Sequence, residues 1–521
     1  MLPTGTSNQP QFACNNENRH FSTDHLKENL GGRSARGGVV TLGAQGIRFA
    51  IRMASTIALA RLLTPRDYGL IAMVAILIDF VSMFQHMGLS TATVSWSAIN
   101  HRQVSTLFWL NTLFSAAIMI AAAAFGPVLA WFYHEPRLIA VTACYAVSIF
   151  FTGLNIQHEA ILSRQMRFGT IAAIEITAIV TGLCAAVVAA WYGAGYWALV
   201  INQLVMTLAT VIGVWATCKW RPGLPSRNSG VRAMLSYGGN LTGYNVTNYF
   251  ARNLDNALIG KFWGAYQLGV YSRAYQMLLM PMAQINNPLV AVAVPALSRL
   301  TDSPERYRAA YLKILEKIAM ITMPGIVFMI ATSDWLVLLL LGPQWSEAGR
   351  IFMLLGIAAV IQPVTKTVPW LFTTQGRTRE MLKWGFIGSG IAVSSIVAGL
   401  PWGPTGVAAS YAVTDLCIST PLLFWYTGRR GPVRTGDFYR AITPSICASL
   451  GSLGVLLICR RWLEVMPNLI ARLTIAFLIA VAISFLVFSA LPAGRLAMRN
   501  LKDILLLTLK RQRKSVAASA A

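Results

Sequence analysis

Charge is scarce in this chain, and acidic charge is scarcer still. Of 521 residues only 12% are charged, and 19 Asp and Glu stand against 43 Lys and Arg. A soluble domain is roughly a quarter charged, so a water-facing surface over most of the chain is excluded. The seven cysteines (Cys14, Cys144, Cys184, Cys218, Cys417, Cys447 and Cys459) show no paired spacing, and most fall inside apolar runs. That pattern excludes a disulfide framework or a cysteine metal site and fits small packing residues. No G-x-x-x-x-G-K-[ST] loop occurs, which excludes ATP hydrolysis by that route. His158-Glu159 is followed by Ala160-Ile161-Leu162, so the second histidine of an H-E-x-x-H zinc site is missing. His134-Glu135-Pro136 fits a turn between helices. No apolar run precedes about residue 39, and a signal peptide is not expected.

What the chain has in abundance is long apolar runs. Hydrophobic residues make up 55% of it, arranged in stretches of about 20, the length that crosses roughly 30 Å of hydrocarbon as a helix. Fourteen spans are predicted, at about 40–62, 68–95, 105–130, 138–160, 169–191, 195–217, 233–261, 268–298, 313–341, 350–374, 381–400, 405–427, 441–459 and 469–490. The expected fold is therefore all-α and polytopic. Residues 1–37 form a polar tail expected to be disordered, and 491–521 an amphipathic basic tail with Arg495, Arg499, Lys502, Lys510, Arg511, Arg513 and Lys514.

An even number of spans puts both termini on one side, and the basic loops identify it. With the N-terminus inside, thirty Lys and Arg are inner, whereas the outer side holds only Arg61, Arg66, Arg137, Lys261, Arg350, Arg460, Arg461 and Arg472. This bias is the positive-inside rule. It explains a net charge of +24 through anionic lipid on the cytoplasmic side, without nucleic acid. Both termini are expected in the cytoplasm.

An internal repeat recurs at an offset of 200 residues: Gly43, Arg52, Arg61 and Gly69 correspond to Gly243, Arg252, Lys261 and Gly269. Six spans separate the copies, so both have the same orientation. The plan expected is two parallel six-helix lobes, 38–217 and 218–427, with two extra helices in 428–490. Paired repeats of this kind are a recurring transporter design, with the substrate path at their interface.

Ionisable residues deep in a bilayer cost roughly 2.5–3.5 kcal/mol each on insertion scales and persist where they meet water, a partner or a substrate. The first span carries Arg48 and Arg52, four residues apart on one face. The seventh carries Asn240, Tyr244, Asn248 and Arg252 at steps of four, then Asp255; the eighth carries Arg273, Gln276, Gln284 and Asn287. Cations and amides in such stripes suit a phosphate- or sugar-bearing substrate. Arg48, Arg52, Asn248, Arg252, Arg273 and Gln276 are the candidate substrate-binding residues. Internal pairing is the competing account, with Arg252 on Asp255 and Arg52 on Asp79. Arg48, Arg273 and Lys366 could instead snorkel towards helix ends. Of the acidic residues in or near spans (Asp79, Glu159, Glu175, Asp255 and Asp415), Asp79, Glu175 and Asp255 are the candidates for coupling to a proton or sodium ion. Pro281, Pro288 and Pro295 recur every seven residues in the eighth span, where they favour a bend that either fits neighbouring helices or hinges.

Ala60-Arg61-Leu62-Leu63-Thr64-Pro65-Arg66-Asp67-Tyr68-Gly69-Leu70 resembles the signature of bacterial polysaccharide exporters. Gly88-Leu89-Ser90-Thr91-Ala92, Asn256 to Gly264, Leu268-Gly269-Val270-Tyr271-Ser272-Arg273-Ala274-Tyr275 and Pro295-Ala296-Leu297-Ser298-Arg299-Leu300 follow in order. Together they resemble the polysaccharide transporter family, of the colanic-acid-exporter-like or O-antigen flippase type, within the multidrug/oligosaccharidyl-lipid/polysaccharide exporter superfamily. The resemblance implies a flippase of the bacterial inner membrane for undecaprenyl-diphosphate-linked oligosaccharide, serving exopolysaccharide, capsule or lipopolysaccharide assembly. It implies no enzyme activity and no cofactor or metal, with lipid-linked oligosaccharide, membrane lipids and a polysaccharide polymerase with its chain-length machinery as partners. The alternatives are a multidrug cation extruder of the same superfamily, which favours a carboxylate-rich cavity, and a membrane glycan polymerase or ligase. The latter calls for long outer loops, whereas connections such as Trp191 to Gly195 are short.

Overall fold

A computed structural model describes residues 30–85, 93, 99–226, 232–492 and 494–495, with side chains from 41 onward except 42, 232–248, 250–252, 285–288 and 291. The polar N-terminal tail up to 29, the motif at 88–92 and most of the basic C-terminal tail lie outside the described residues. Among the described residues every element is helical. This is the form in which a chain in hydrocarbon satisfies its backbone N–H and C=O groups within one segment.

The order is α1 (Leu30–Leu62), α2 (Pro65–Gln85), α3 (His101–Ala124), α4 (Gly126–Tyr133), α5 (Leu138–Arg164), α6 (Phe168–Trp191), α7 (Trp197–Thr217), α8 (Arg232–Ser298), α9 (Pro304–Ala331) and α10 (Ser333–Leu340). Then come α11 (Ser346–Ala359), α12 (Gln362–Thr365), α13 (Val368–Thr374), α14 (Thr378–Gly399), α15 (Gly403–Thr414), α16 (Thr420–Gly428), α17 (Thr435–Glu464) and α18 (Leu469–Ala490). Helices therefore stand where the apolar runs lie, but the spans are less uniform than fourteen equal rods. Nine helices among the described residues are long and apolar enough to cross a membrane, or ten if the bent pair Pro343–Ala359 and Gln362–Thr374 counts as one span. One of the nine, Thr378–Gly428, doubles back: Ser410 Oγ donates to the Ser395 carbonyl at 2.6 Å across the turn between α14 and α15.

Local chemistry sets the boundaries. Thr64 caps α2: the Asp67 carboxylate accepts from Thr64 N (2.9 Å) and Oγ1 (2.7 Å), and Pro65 occupies the first turn. Asn100 and Gln103 form the reciprocal box that opens α3. His134 ends α4 with φ +57°, and Arg137 clamps Glu135 at 2.7 and 2.8 Å, so His134-Glu135-Pro136 is the turn expected. The seventh and eighth spans are one run of helix broken at Gly264, whose φ of +77° and ψ of −178° suit a residue without Cβ. Gly264 is the one non-helical position inside α8, which continues through Pro281, Pro288 and Pro295.

The chain forms two compact units, Met1–Leu63 with Met73–Tyr249, and Thr64–Ala72 with Phe250–Ala521. In the first, Gln85 Nε2 bridges Ser115 Oγ (2.8 Å) on α3 and the Ile149 carbonyl (2.6 Å) on α5, beside Gly153. Its core closes over Val104, Phe108, Ile161, Leu162 and Trp220. His158 belongs to this core, stacked on Trp215 at 4.4 Å, as a packing residue. In the second unit Tyr311 of α9 meets Phe438 of α17 at 6.1 Å, Phe424 of α16 stacks on Phe438 at 4.6 Å, and buried Tyr307 and Tyr311 share hydrogen bonds with Thr374 (2.6 Å) and Thr367 (2.7 Å). Lipid is as apolar as leucine, so such contacts, rather than expulsion from water, hold helices together. The last two helices join through Ser452, which donates to the Ala480 carbonyl (3.2 Å) and shares a hydrogen bond with Ser484 (2.9 Å). Arg460 binds Asp334 (2.5 Å) and Glu464 (2.9 Å).

Within the second unit the two repeat copies meet. A Cβ on Gly69 would land on the Ala265 carbonyl, and one on Gly269 would land on the Pro65 carbonyl and 3.0 Å from Gly69 N. Positions 65 and 265, and 69 and 269, are repeat mates, so the contact is reciprocal, as at a two-fold axis. Only hydrogens fit where the backbones cross, the small-residue crossing that lets membrane helices approach closely. Gly69→Ala or Gly269→Ala should therefore lower the detergent-extracted protein's stability by about 1–3 kcal/mol, as overpacking does. Gly454→Ala, with open space around the added carbon, should change it by less than about 0.5 kcal/mol. Melting curves of the three variants check this.

Candidate functional site

The candidate residues fall into two groups, one in each unit. In the first, Arg48 and Arg52 stand one turn apart on α1. Arg48 is ion-paired with Glu175 of α6. Glu175 has no basic neighbour along its own helix, and its counter-ion comes from another. Arg52 is exposed, as is Asp79 on α2, and among the described residues neither forms an ion pair. Arg52 is thus an accessible cation on a membrane helix, an arrangement that insertion costs disfavour unless something polar meets it. The side chains of Asn248 and Arg252 lie outside the described residues. Tyr249, beside Asn248, donates through its hydroxyl to the Ile76 carbonyl at 2.7 Å.

In the second unit the broken helix α8 arranges its two arms around Asp255. This carboxylate is buried; it accepts from Tyr271 Oη at 2.9 Å and from Asn256 N at 2.7 Å. Asp255 lies before the Gly264 break and Tyr271 after it, so the bond ties arm to arm. Charge-assisted bonds of this kind are stronger than neutral ones. The turn is pinned from outside: Trp263 Nε1 donates to the Leu400 carbonyl (2.9 Å) and Gln267 Nε2 to Glu347 Oε2 (3.1 Å).

Two turns into the second arm, Arg273 places its guanidinium carbon 3.8 Å from the centre of the Tyr68 ring and donates through Nη1 to Gln276 Oε1 at 2.7 Å. Two candidate residues are therefore direct partners, Arg273 half-buried and Gln276 exposed. Lys366 is exposed at the bend between α12 and α13. Asp415 opens a π-helical turn, Asp415–Ser419, and its Oδ2 is buried with no hydrogen-bond partner among the described residues. Turns of this type often occur at functional positions.

Sequence reasoning missed Tyr68, Tyr271 and Glu347 as partners of the polar stripes. The first two lie inside motifs that carried the family resemblance, so a signal was present. Their roles need contacts 16 and 205 positions apart, which no helical periodicity encodes. Among the described residues no group of three or more His, Cys, Asp or Glu side chains is placed to hold a metal ion.

The Arg48–Glu175 pair is testable by a double-mutant cycle. Arg48→Gln and Glu175→Gln should each lower thermal stability in detergent. The double variant should lose less than the two losses combined, with a coupling of about 1 kcal/mol. Additive losses would show that the pair contributes nothing.

The chain is 25% identical over 307 residues to the teichuronic acid biosynthesis protein TuaB of Bacillus subtilis, covering 58% of this chain and 64% of that one. It is 23% identical to the lipopolysaccharide biosynthesis protein WzxC of Escherichia coli (70% and 75% covered). It is also 23% identical to the succinoglycan biosynthesis transport protein ExoT of Rhizobium meliloti (82% and 86%). The chain thus spans just under two thirds of TuaB and more of the others. In fold it is similar to the lipid II flippase MurJ in an inward closed conformation, with a TM-score of 0.67 at 13% identity over 88% of this chain and 98% of that one. An inward-facing multidrug resistance MATE family transporter of the MOP superfamily follows, with a TM-score of 0.58 at 13% identity over 77% and 99%. The profile of one family, described as polysaccharide biosynthesis protein, matches residues 58–350, more than half of the chain and including Tyr68, Gly69, Asp255, Gly269 and Arg273. This multi-pass membrane protein therefore belongs to the polysaccharide biosynthesis protein family.

Proposed function

We propose that the protein is a secondary-type flippase that carries a polyprenyl-diphosphate-linked oligosaccharide from the inner to the outer leaflet of a bacterial inner membrane, for assembly of a surface polysaccharide. The observation that supports this most is the set of arginines and amides on α1 and α8, in a member of a polysaccharide family whose relatives include a succinoglycan transport protein. A diphosphate offers a dense anionic acceptor that guanidinium groups bind bidentately. Arg48, Arg52, Asn248, Arg252, Arg273 and Gln276 then contact diphosphate or sugar, and the prenyl chain stays in lipid. The excess of basic residues on one set of loops supports cytoplasmic termini. The repeat supports two six-helix lobes, 38–217 and 218–427, followed by the extra helices of 428–490 and a basic tail. Asp79, Glu175 and Asp255 are the carboxylates proposed to couple transport to a proton or sodium gradient. Of these, Asp79 has no ionic partner among the described residues, and Asp255 has hydroxyl and amide donors rather than a cation.

Cells depleted of the protein should accumulate full-length lipid-linked repeat units on the inner leaflet, inaccessible to a sugar-modifying enzyme added from the periplasmic side. Normal arrival of repeat units on the outer leaflet would overturn the reading in favour of a later assembly step. Replacing Arg52 and Arg252 together with alanine should reduce export at least about 100-fold, given roughly 1.5–3 kcal/mol for each charged hydrogen bond lost. Membrane insertion should remain intact; normal export by the double variant would remove both residues from the site.

A further inference from the structure

Arg273 is held in an unusual way for a cation proposed to meet substrate. Its guanidinium lies 3.8 Å over the Tyr68 ring, and Nη1 is committed to Gln276 at 2.7 Å. A guanidinium held this close over an aromatic face and bonded through Nη1 has few remaining orientations.

The ring is itself fixed. Tyr68 is 3% exposed, and its edge meets the ring of fully buried Trp345 at 5.3 Å and 67°. Its backbone is anchored on both sides. Thr64, one turn earlier, is the cap of α2, and Gly69, the next residue, lies against the Ala265 carbonyl. Gly269, on the helical arm that bears Arg273, lies in turn against Pro65. The capped turn, the glycine crossing and the Trp345 contact together place one aromatic face under one guanidinium, all within the second unit.

From this geometry we infer that Tyr68, backed by Trp345, is a positioning residue that presents the Arg273 guanidinium to the diphosphate of the substrate. This rests on the proposed function, in which Arg273 touches that diphosphate. It assigns to the Pro65–Gly69 motif a role beyond capping a helix. Preorganising a planar donor lowers the ordering cost of each binding event, so the contribution appears in substrate affinity.

The test measures binding of sugar-free undecaprenyl diphosphate to the full-length protein in lipid nanodiscs, for Tyr68→Phe, Tyr68→Leu, Arg273→Lys, Arg273→Ala and the double variant Tyr68→Leu/Arg273→Ala. Tyr68→Phe keeps the aromatic face and should bind within about twofold of the parent, whereas Tyr68→Leu should bind about 5- to 10-fold more weakly, the scale of a partly desolvated cation–π contact. Arg273→Lys keeps the charge without the plane and should weaken binding by a similar factor. In the Arg273→Ala background, Tyr68→Leu should cause no further loss, an outcome that a purely structural tyrosine would not produce. An equal loss in both backgrounds, or none in the parent, overturns the inference. Should Tyr68→Leu fail to fold, Arg273→Lys decides, since parental affinity in that variant shows that the oriented plane is not needed. Parental affinity of Arg273→Ala would instead refute the placement of Arg273 at the substrate.

Discussion

The second unit depends on a contact in which side chains are absent. Where α2 begins and where α8 resumes after Gly264, two helices cross with Gly69 against the Ala265 carbonyl and Gly269 against the Pro65 carbonyl. In lipid, association gains little from burying apolar surface, so close backbone approach takes its place. The crossing is reciprocal between repeat mates. A sequence regularity at an offset of 200 thus becomes a local symmetry of the structure. The cap formed by Thr64 and Asp67, the ring of Tyr68 and the arm bearing Tyr271 and Arg273 all take their positions from it.

Charge inside the membrane-spanning part is handled in three ways, and the differences matter for transport. Arg48 and Glu175 neutralise each other across helices. Asp255 is buried against a phenol and a backbone amide, and no cation meets it in the contacts described. Arg273 is spread over an aromatic face and tied to an amide. The second and third fix the geometry of the group they hold. Geometry that survives desolvation is what a site for a diphosphate or a coupling ion needs.

Similar proteins extend this reading at the level of fold and family. The solved flippase and multidrug transporter of similar fold share only 13% of residues with this chain, so what is common is the arrangement of helices. The chemistry must lie in side chains on that scaffold. Here those side chains lean cationic and amide-bearing, which suits an anionic headgroup better than an organic cation.

Much of the architecture is legible in the amino-acid sequence. Hydrophobic run length locates helices because the bilayer sets a minimum span, and the observed helices stand on those runs, from Leu138–Arg164 to Leu469–Ala490. The turn at His134-Glu135-Pro136 follows from local chemistry. The break at Gly264 falls between the spans expected at 233–261 and 268–298, but that a single glycine makes it within one run of helix is not announced by the sequence. The bend between α11 and α13 and the π-helical turn at Asp415 are equally silent. Among the site residues, composition locates the ionisable groups on α1 and α8, since charge in an apolar run is visible one residue at a time. Tertiary structure decides their partners: Glu175 for Arg48, Tyr271 for Asp255 and Tyr68 for Arg273. Helical periodicity reports which residues share a face of one helix; which face of another helix comes to meet it is settled only when the backbones pack.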